Sequence, residues 1–164
     1  MPLGSLPPHR GRCATLGHMP VDVLVETLID RPVEEVSAFA GDPSNAPEWY
    51  ANIKRVEWQT EPPVRVGSRV AFVALFLGRQ LEYVYEIVEH VPGERLVMQS
   101  DGKPFPMRTT YTWEKVGEGQ TRMTLGNSGQ PSGFAAIGAK AMGRAMRRAT
   151  TKDLARLKAL LESR

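Results

Sequence analysis

Cysteine is almost absent from this chain: Cys13 stands alone among 164 residues. One thiol cannot close a disulfide within the chain, and its isolation agrees with a reducing compartment, so the expected location is the cytoplasm. Histidine is nearly as scarce. Of three, His9 and His18 fall within residues 1–18 and only His90 belongs to the body. With no body cysteine and one histidine, a zinc site of the usual type cannot be assembled. A Ser-His-Asp or Cys-His nucleophile is removed too, unless His90 points inward against the parity of its strand. Because His90 precedes Val91-Pro92-Gly93, the expected place for it is a solvent-exposed strand end. Glycine-rich phosphate loops are missing, since Gly138 and Gly143 fall inside a helical run rather than between a strand and a helix. No cofactor is therefore expected. No window approaches the roughly eighteen consecutive apolar residues of a membrane-spanning helix. Residues 1–18 are rich in Pro and Gly and lack the apolar core of a secretory signal, so they are expected to form a disordered tail. Met19 opens the first patterned segment, and residues 19–164 are expected to be a single domain without repeat or linker.

What the chain does carry is an asymmetry of charge. From Lys140 onward there are eight Lys/Arg against two Asp/Glu, whereas residues 1–130 carry thirteen against sixteen. The same C-terminal region, Pro131 to Arg164, has no proline after its first residue and is dense in Ala, Met, Leu, Lys and Arg, all good helix formers. At about 100° per residue, Ala139, Met142, Met146, Ala149, Leu157, Leu160 and Leu161 gather on one side. Lys140, Arg144, Arg147, Arg148 and Lys158 gather roughly opposite, with Lys152 and Arg156 on the flank. This describes one long amphipathic helix with a buried stripe and a basic stripe. A basic stripe raises nucleic acid or an anionic membrane as partners. The body lacks the interleaved aromatics or docking motif such partners require, so a solvated outer face is expected, with no nucleic acid and no integral membrane association.

Ahead of the helix, strand signals dominate. Val21 to Ile29 reads as a strand, and Pro32 suits the first turn of a helix reaching Ala40. A second short helical piece is expected over Asp42 to Tyr50, anchored by Trp49 and Tyr50 and kept short by its prolines. Six further strands follow: Ile53–Thr60, Ser68–Leu77, Arg79–Val91, Arg95–Asp101, Phe105–Val116 and the run containing Thr121, Met123, Leu125 and Asn127. Alternation puts Leu81, Tyr83, Tyr85 and Ile87 on one face, and Phe105, Met107, Thr109, Tyr111 and Trp113 in phase on another strand. The predicted architecture is α+β: a curved seven-stranded antiparallel sheet wrapped around the long C-terminal helix, with two short helices after the first strand.

This order resembles the helix-grip fold of the START-like (SRPBCC) superfamily, and within it the polyketide cyclase/dehydrase-like branch. The resemblance is carried by VLVETLIDRPVEEVSAFAGDPSNAPEWY, VGSRVAF, EHVPGERLVMQS, TTYTWEKVGEGQTRMTL and the closing helix, and covers about residues 20–162. These are turn, packing and capping residues, specific for fold and weak for function. What the resemblance implies is a ligand held between sheet and helix, in a superfamily whose ligands range from polyketides to sterols and plant hormones.

If facing side chains do not fill that space, its lining is the inward parity of the strands plus the helix stripe: Tyr83, Tyr85, Met98, Met107, Tyr111, Met123, Asn127, Met142 and Met146. Such a lining suits a bulky, largely apolar molecule with a few oxygens, polyketide- or lipid-like, because Met adapts its shape and Tyr offers a polar tip. The alternative is that these residues make a solid core. Two functional readings follow: a carrier or sensor of a hydrophobic small molecule, acting as a monomer or homodimer, and a polyketide cyclase or dehydratase. For the enzyme, Asp101 would be the base if turned inward, and Arg108 would hold a carbonyl or carboxylate if a bulge at Pro106 brought it in. Glu26 interrupts an apolar strand, and Asp153 falls in the helix's apolar stripe, so each is a candidate buried acid. An inward carboxylate near an inward tyrosine or arginine would favour the enzyme. A wholly apolar lining would favour carriage. Phe134 and Ile137 sit towards the basic side of the helix, and with Gly133, Gly138 and Gly143 suggest a loosely held first half. That half either opens the cavity, together with the Ser128–Pro131 loop, or packs on a partner subunit.

Overall fold

The computed structural model describes residues 21–76, 78–100, 102, 105–130 and 138–164. The expected tail, and Asp101, Phe134 and Ile137, lie outside the described residues. Period-two alternation becomes seven strands: β1 (Val21–Ile29), β2 (Ile53–Trp58), β3 (Arg69–Phe76), β4 (Arg79–Val91), β5 (Arg95–Ser100), β6 (Met107–Gly117) and β7 (Gln120–Gly129). They form one antiparallel sheet in the order β1-β7-β6-β5-β4-β3-β2. Consecutive strands pair from β2 to β7, and the first described strand closes against the last, leaving β1 and β2 at the edges among the described residues. Helix α1 (Val33–Ala40), a 3-10 turn (Pro43–Asn45) and α2 (Ala46–Trp49) fill the β1–β2 connection, and α3 (Ala139–Glu162) packs chiefly along β1.

Most strands bury the side that alternation assigns to them, while Val70 to Ala74 of β3 and Leu96 to Met98 of β5 are buried on both faces. On β1, Val21, Val23 and Ile29 are buried while Asp22, Leu24, Glu26 and Leu28 are exposed, so Glu26 simply faces outward. Strand β4, like β2 between Ile53 and Arg55, breaks its parity. The β4–β5 register slips between Ile87 and Glu89, which puts His90 opposite Leu96. Paired residues of antiparallel neighbours share a face, so His90 lies on the concave side and is half-buried. The expectation of an exposed strand end is corrected by this irregularity, which no alternation pattern shows.

Helix α3 buries Ala139, Thr150, Asp153, Leu154, Leu157 and Leu161. Ala149, expected in that stripe, is exposed. At about 100° per residue it falls just outside the arc centred on Leu157, whereas Thr150 and Asp153 fall within it. Nor is the basic side merely solvated. The Arg147 guanidinium donates to the Leu24 carbonyl at 2.8 Å, and the Lys158 ammonium donates to the Leu28 carbonyl at 2.6 Å. Both carbonyls belong to edge strand β1, so these cations satisfy main-chain acceptors that no neighbouring strand reaches.

The C-terminal end of α3 is tied to the β1–α1 corner. Arg31 donates from Nε to the Leu161 carbonyl at 2.8 Å and from Nη2 to the Arg164 carbonyl. The Asp30 amide donates to Glu162 at 2.8 Å, and the Arg164 guanidinium lies 4.2 Å from the centre of the Phe39 ring. Around this end sits the main core, with Val36, Trp49, Leu96, Leu125, Leu154, Leu157 and Leu161. A smaller cluster of Val21, Val23 and Ala139, flanked by half-buried Met142 and Met146, holds the other end.

Leu157→Ala is expected to cost about 2–5 kcal/mol, the usual range for emptying a closed site. Met142→Ala should cost less than half as much, because Met142 keeps part of its surface exposed. Urea denaturation of the two variants checks the contrast.

Candidate functional site

Among the described residues, the concave side of the sheet is fully buried at one end and only partly buried at the other. Towards α1 and α2, Ile29, Trp49, Leu96, Leu125, Leu154 and Leu157 are each at most 1% exposed. Towards the start of α3, the inward residues Tyr83, Tyr85, Met107, Asn127, Met142 and Met146 are only half-buried. The nine lining residues expected from parity divide accordingly. These six line the open half, while Met98, Tyr111 and Met123 are 4%, 4% and 0% exposed and belong to the packed core. Strand alternation distinguishes faces but not the two ends of one face.

A void of about 10 Å³ survives in the closed half between Trp49, Phe72, Leu96, Met98 and Tyr111, room for about one water. The indole N–H groups of Trp49, which lines this void, and of Trp113 are buried and have no partner among the described residues. A larger groove of about 320 Å³ runs outside the grip, between β1 and α3, with Val25, Thr27, Leu154 and Ala155 in its walls and the mutually paired Lys158 and Glu162 at its rim.

A polar seam crosses the floor between the two apolar clusters. The Thr109 hydroxyl donates to Asn127 Oδ1 at 2.8 Å, and Ser100 Oγ accepts the Met107 amide at 3.0 Å. Burial raises the pKa of the Tyr85 hydroxyl, and hydrogen bonds with Thr109 and Ser100 offset this in part. Further along, the Tyr50 and Tyr111 hydroxyls share a hydrogen bond of 2.6 Å. Their rings are held by Trp49, whose centroid is 3.9 Å from Tyr50, and by Trp113, 6.0 Å from Tyr111 in an edge arrangement. Burial, reinforced for Tyr50 by Tyr111 and Asp153, raises both phenols far above their ordinary value. Both therefore remain neutral hydrogen-bond donors.

Asp153 completes the seam from α3. It is 5% exposed, and its Oδ1 accepts the Ala51 amide at 3.0 Å. Burial raises its pKa, against the opposing effects of that hydrogen bond and of Arg156. An acid within an apolar helical stripe was the signal that singled it out in the sequence. Nothing in the sequence marks Tyr50, Ser100 and Thr109 as site residues. Tyr50 reads only as a helix anchor, and its meeting with Tyr111 joins residues 61 positions apart.

The catalytic expectations fare differently. Arg108 is exposed, paired with Gln99 on one side and Ser128 on the other in unbroken register. No bulge turns it inward, and the assignment of Arg108 to the cavity is corrected. Among the described residues, no three of His, Cys, Asp and Glu converge as metal ligands, and no helix is long and apolar enough to cross a membrane.

Residues 20–162 match the family model described as polyketide cyclase / dehydrase and lipid transport. No curated protein matches the chain in sequence. Among solved structures, the protein TTHA0849 of Thermus thermophilus superposes with a TM-score of 0.71 at 19% identity, over 87% of this chain and 97% of that one. The Zhui aromatase/cyclase of Streptomyces sp. R1128 gives 0.72 at 13% identity, over 88% and 94%. The di-domain aromatase/cyclase BexL from the BE-7585A biosynthetic pathway gives 0.70 at 20% identity, covering 84% of this chain but 45% of that longer one. At such identities the structural likeness concerns the fold. Together with the family match over nearly its whole length, it makes this chain a member of the polyketide cyclase/dehydrase and lipid transport family, a START-like protein built on the helix-grip fold.

Proposed function

We propose that the protein binds a hydrophobic small molecule, polyketide- or lipid-like, in the open half of the grip, as a carrier or sensor. The observation that carries this reading is the incomplete burial of Tyr83, Tyr85, Met107, Asn127, Met142 and Met146 on the side of the sheet that elsewhere forms the core. Thioether walls adapt to a bulky apolar body. The seam supplies polar recognition, because its bonds leave capacity unused: Asn127 commits its oxygen to Thr109, and among the described residues its two amide hydrogens have no partner. The family description, and the aromatase/cyclase names of two structural neighbours, agree with such a ligand. On this reading the protein acts in the cytoplasm, as a monomer or homodimer. Native mass spectrometry of protein purified from its own host should show a retained molecule of a few hundred daltons. Met142→Trp, which narrows the open half, should lose that molecule with little change in melting temperature. Only the bare chain mass in the wild type, with no fluorescence gain by anilinonaphthalene sulfonate, would remove the proposal.

A second reading, a cyclase or dehydratase, is favoured by one observation: a buried carboxylate, Asp153, whose charge reaches the Tyr50–Tyr111 hydroxyl pair. An intramolecular aldol with loss of water needs a base to take a proton from carbon and a donor at the carbonyl oxygen. Asp153 and a neutral tyrosine are groups of those kinds. Asp153→Asn separates the readings, since turnover would be abolished while binding persists. Its stability has a defined sign. The folded state raises the Asp153 pKa above 3.8, so ionisation opposes folding at neutral pH, and this opposition fades as pH falls through the raised value. The Asn oxygen still accepts the Ala51 amide. Asp153→Asn should therefore melt about 2–5 °C higher than wild type near pH 7.5, with the difference shrinking towards pH 4. Thermal melts across that range check it.

A further inference from the structure

Cations on the sheet are mostly matched: Arg55 with Glu57, Arg95 with Glu89 and Arg122 with Glu114. The outer face of α3 differs. Lys140, Arg144, Arg148, Lys152 and Arg156 recur at every fourth residue, and all are exposed. Among the described residues the first four make no ion pair or hydrogen bond, while Arg156 acts on Asp153. The helix offers this row no acid. Asp153 is turned inward, and Glu162 is held by Lys158 and the Asp30 amide. Like charges at i,i+4 weaken a helix, so the row opposes the stability of the element that carries it.

Four residues advance about 6 Å along the axis and turn about 40°, so the charges follow an i±4 ridge diagonally across the solvent face. Beside that ridge runs another, made of Ala141, Ala145 and Ala149, all exposed. Its methyl groups leave a shallow trough next to the charges.

We infer that this face docks an acidic α-helix of a partner protein, with a row of i,i+4 carboxylates lying alongside the cations. The charges repeat at the interval of another helix's own surface row, and a crossing near −50° brings two such ridges parallel. The alanine trough permits the close axial approach that helix packing needs. Exposed positions of α3 carry no Trp, Phe or Leu to enter a lipid interface and no aromatic on which a base would stack. The surface is independent of the concave side, so it stands or falls apart from the ligand.

Fluorescence anisotropy at about 50 mM salt tests it with two labelled helical peptides of about 20 residues and identical composition. One carries Glu in an i,i+4 row and the other has Glu spread around the helix. Phosphatidylcholine vesicles with 30% phosphatidylserine and a 20-nucleotide single-stranded DNA complete the set. The row peptide should bind about tenfold tighter than its isomer, the sum of a few exposed ion pairs, and should weaken as salt rises. Arg144→Gln/Arg148→Gln/Lys152→Gln should erase the preference without lowering the melting temperature, which relief of the i,i+4 repulsion should raise slightly. The matching triple Glu variant should transfer it to a Lys-row peptide. Equal binding of the two peptides, undiminished binding by the Gln variant, or tighter binding of vesicles or DNA than of the row peptide would overturn the inference.

Discussion

Arg31 donates to the Leu161 carbonyl in the last turn of α3 and to the Arg164 carbonyl just beyond it, and this tie sets how the helix meets the sheet. A helix ends with carbonyls that have no partner within it and with the negative end of its dipole, and a guanidinium answers both needs. Here that guanidinium comes from the first residue after the Asp30 amide, which itself donates to Glu162. The corner where β1 leaves the sheet is therefore the corner where the helix finishes. With this end fixed, Leu154, Leu157 and Leu161 meet the sheet in full contact, each at most 1% exposed. The opposite end of α3 is held by less, a small cluster of Val21, Val23 and Ala139 and the bond from Arg147 to the β1 edge.

Between a closed and an open end, polar groups gather where the apolar contacts run out. A hydroxyl or carboxylate placed fully inside the core would need every bond satisfied, whereas one placed at the boundary can keep a bond in reserve for a ligand. Thr109, Asn127, Ser100 and Tyr85 occupy that boundary. Tyr50 and Tyr111, packed by two indoles, stand on its closed side with Asp153, which accepts the Ala51 amide. The arrangement sets half-buried Met and Tyr side chains beside a buried carboxylate, Asp153.

The architecture was legible because alternation and helical periodicity are local. Val21, Val23 and Ile29 on β1, or Met123 and Leu125 on β7, announce their face by spacing alone. Residues whose position depends on a register were not legible. His90 changes face because β4 and β5 slip against each other, a property of the pair rather than of either strand. Arg108 follows its parity and stays outside. Tyr50 gains its role only from Tyr111, on a strand far along the chain. Arg147 and Lys158 look like solvated charges until the β1 edge lies beneath them. Asp153 is the exception among long-range features, since a charged residue inside an apolar stripe must have a reason to be there.

The grip is tight at the C-terminal end of α3, where Leu154, Leu157 and Leu161 are buried, and looser at its beginning, where Met142 and Met146 are half-buried. Residue-resolved amide hydrogen exchange measures this directly. Amides of residues 154–162 should be protected to the level of β6 and β7, those of residues 142–148 should exchange at least about tenfold faster, and the gap should narrow when a bound molecule is retained. Uniform protection along the whole of α3, with or without that molecule, would contradict the account.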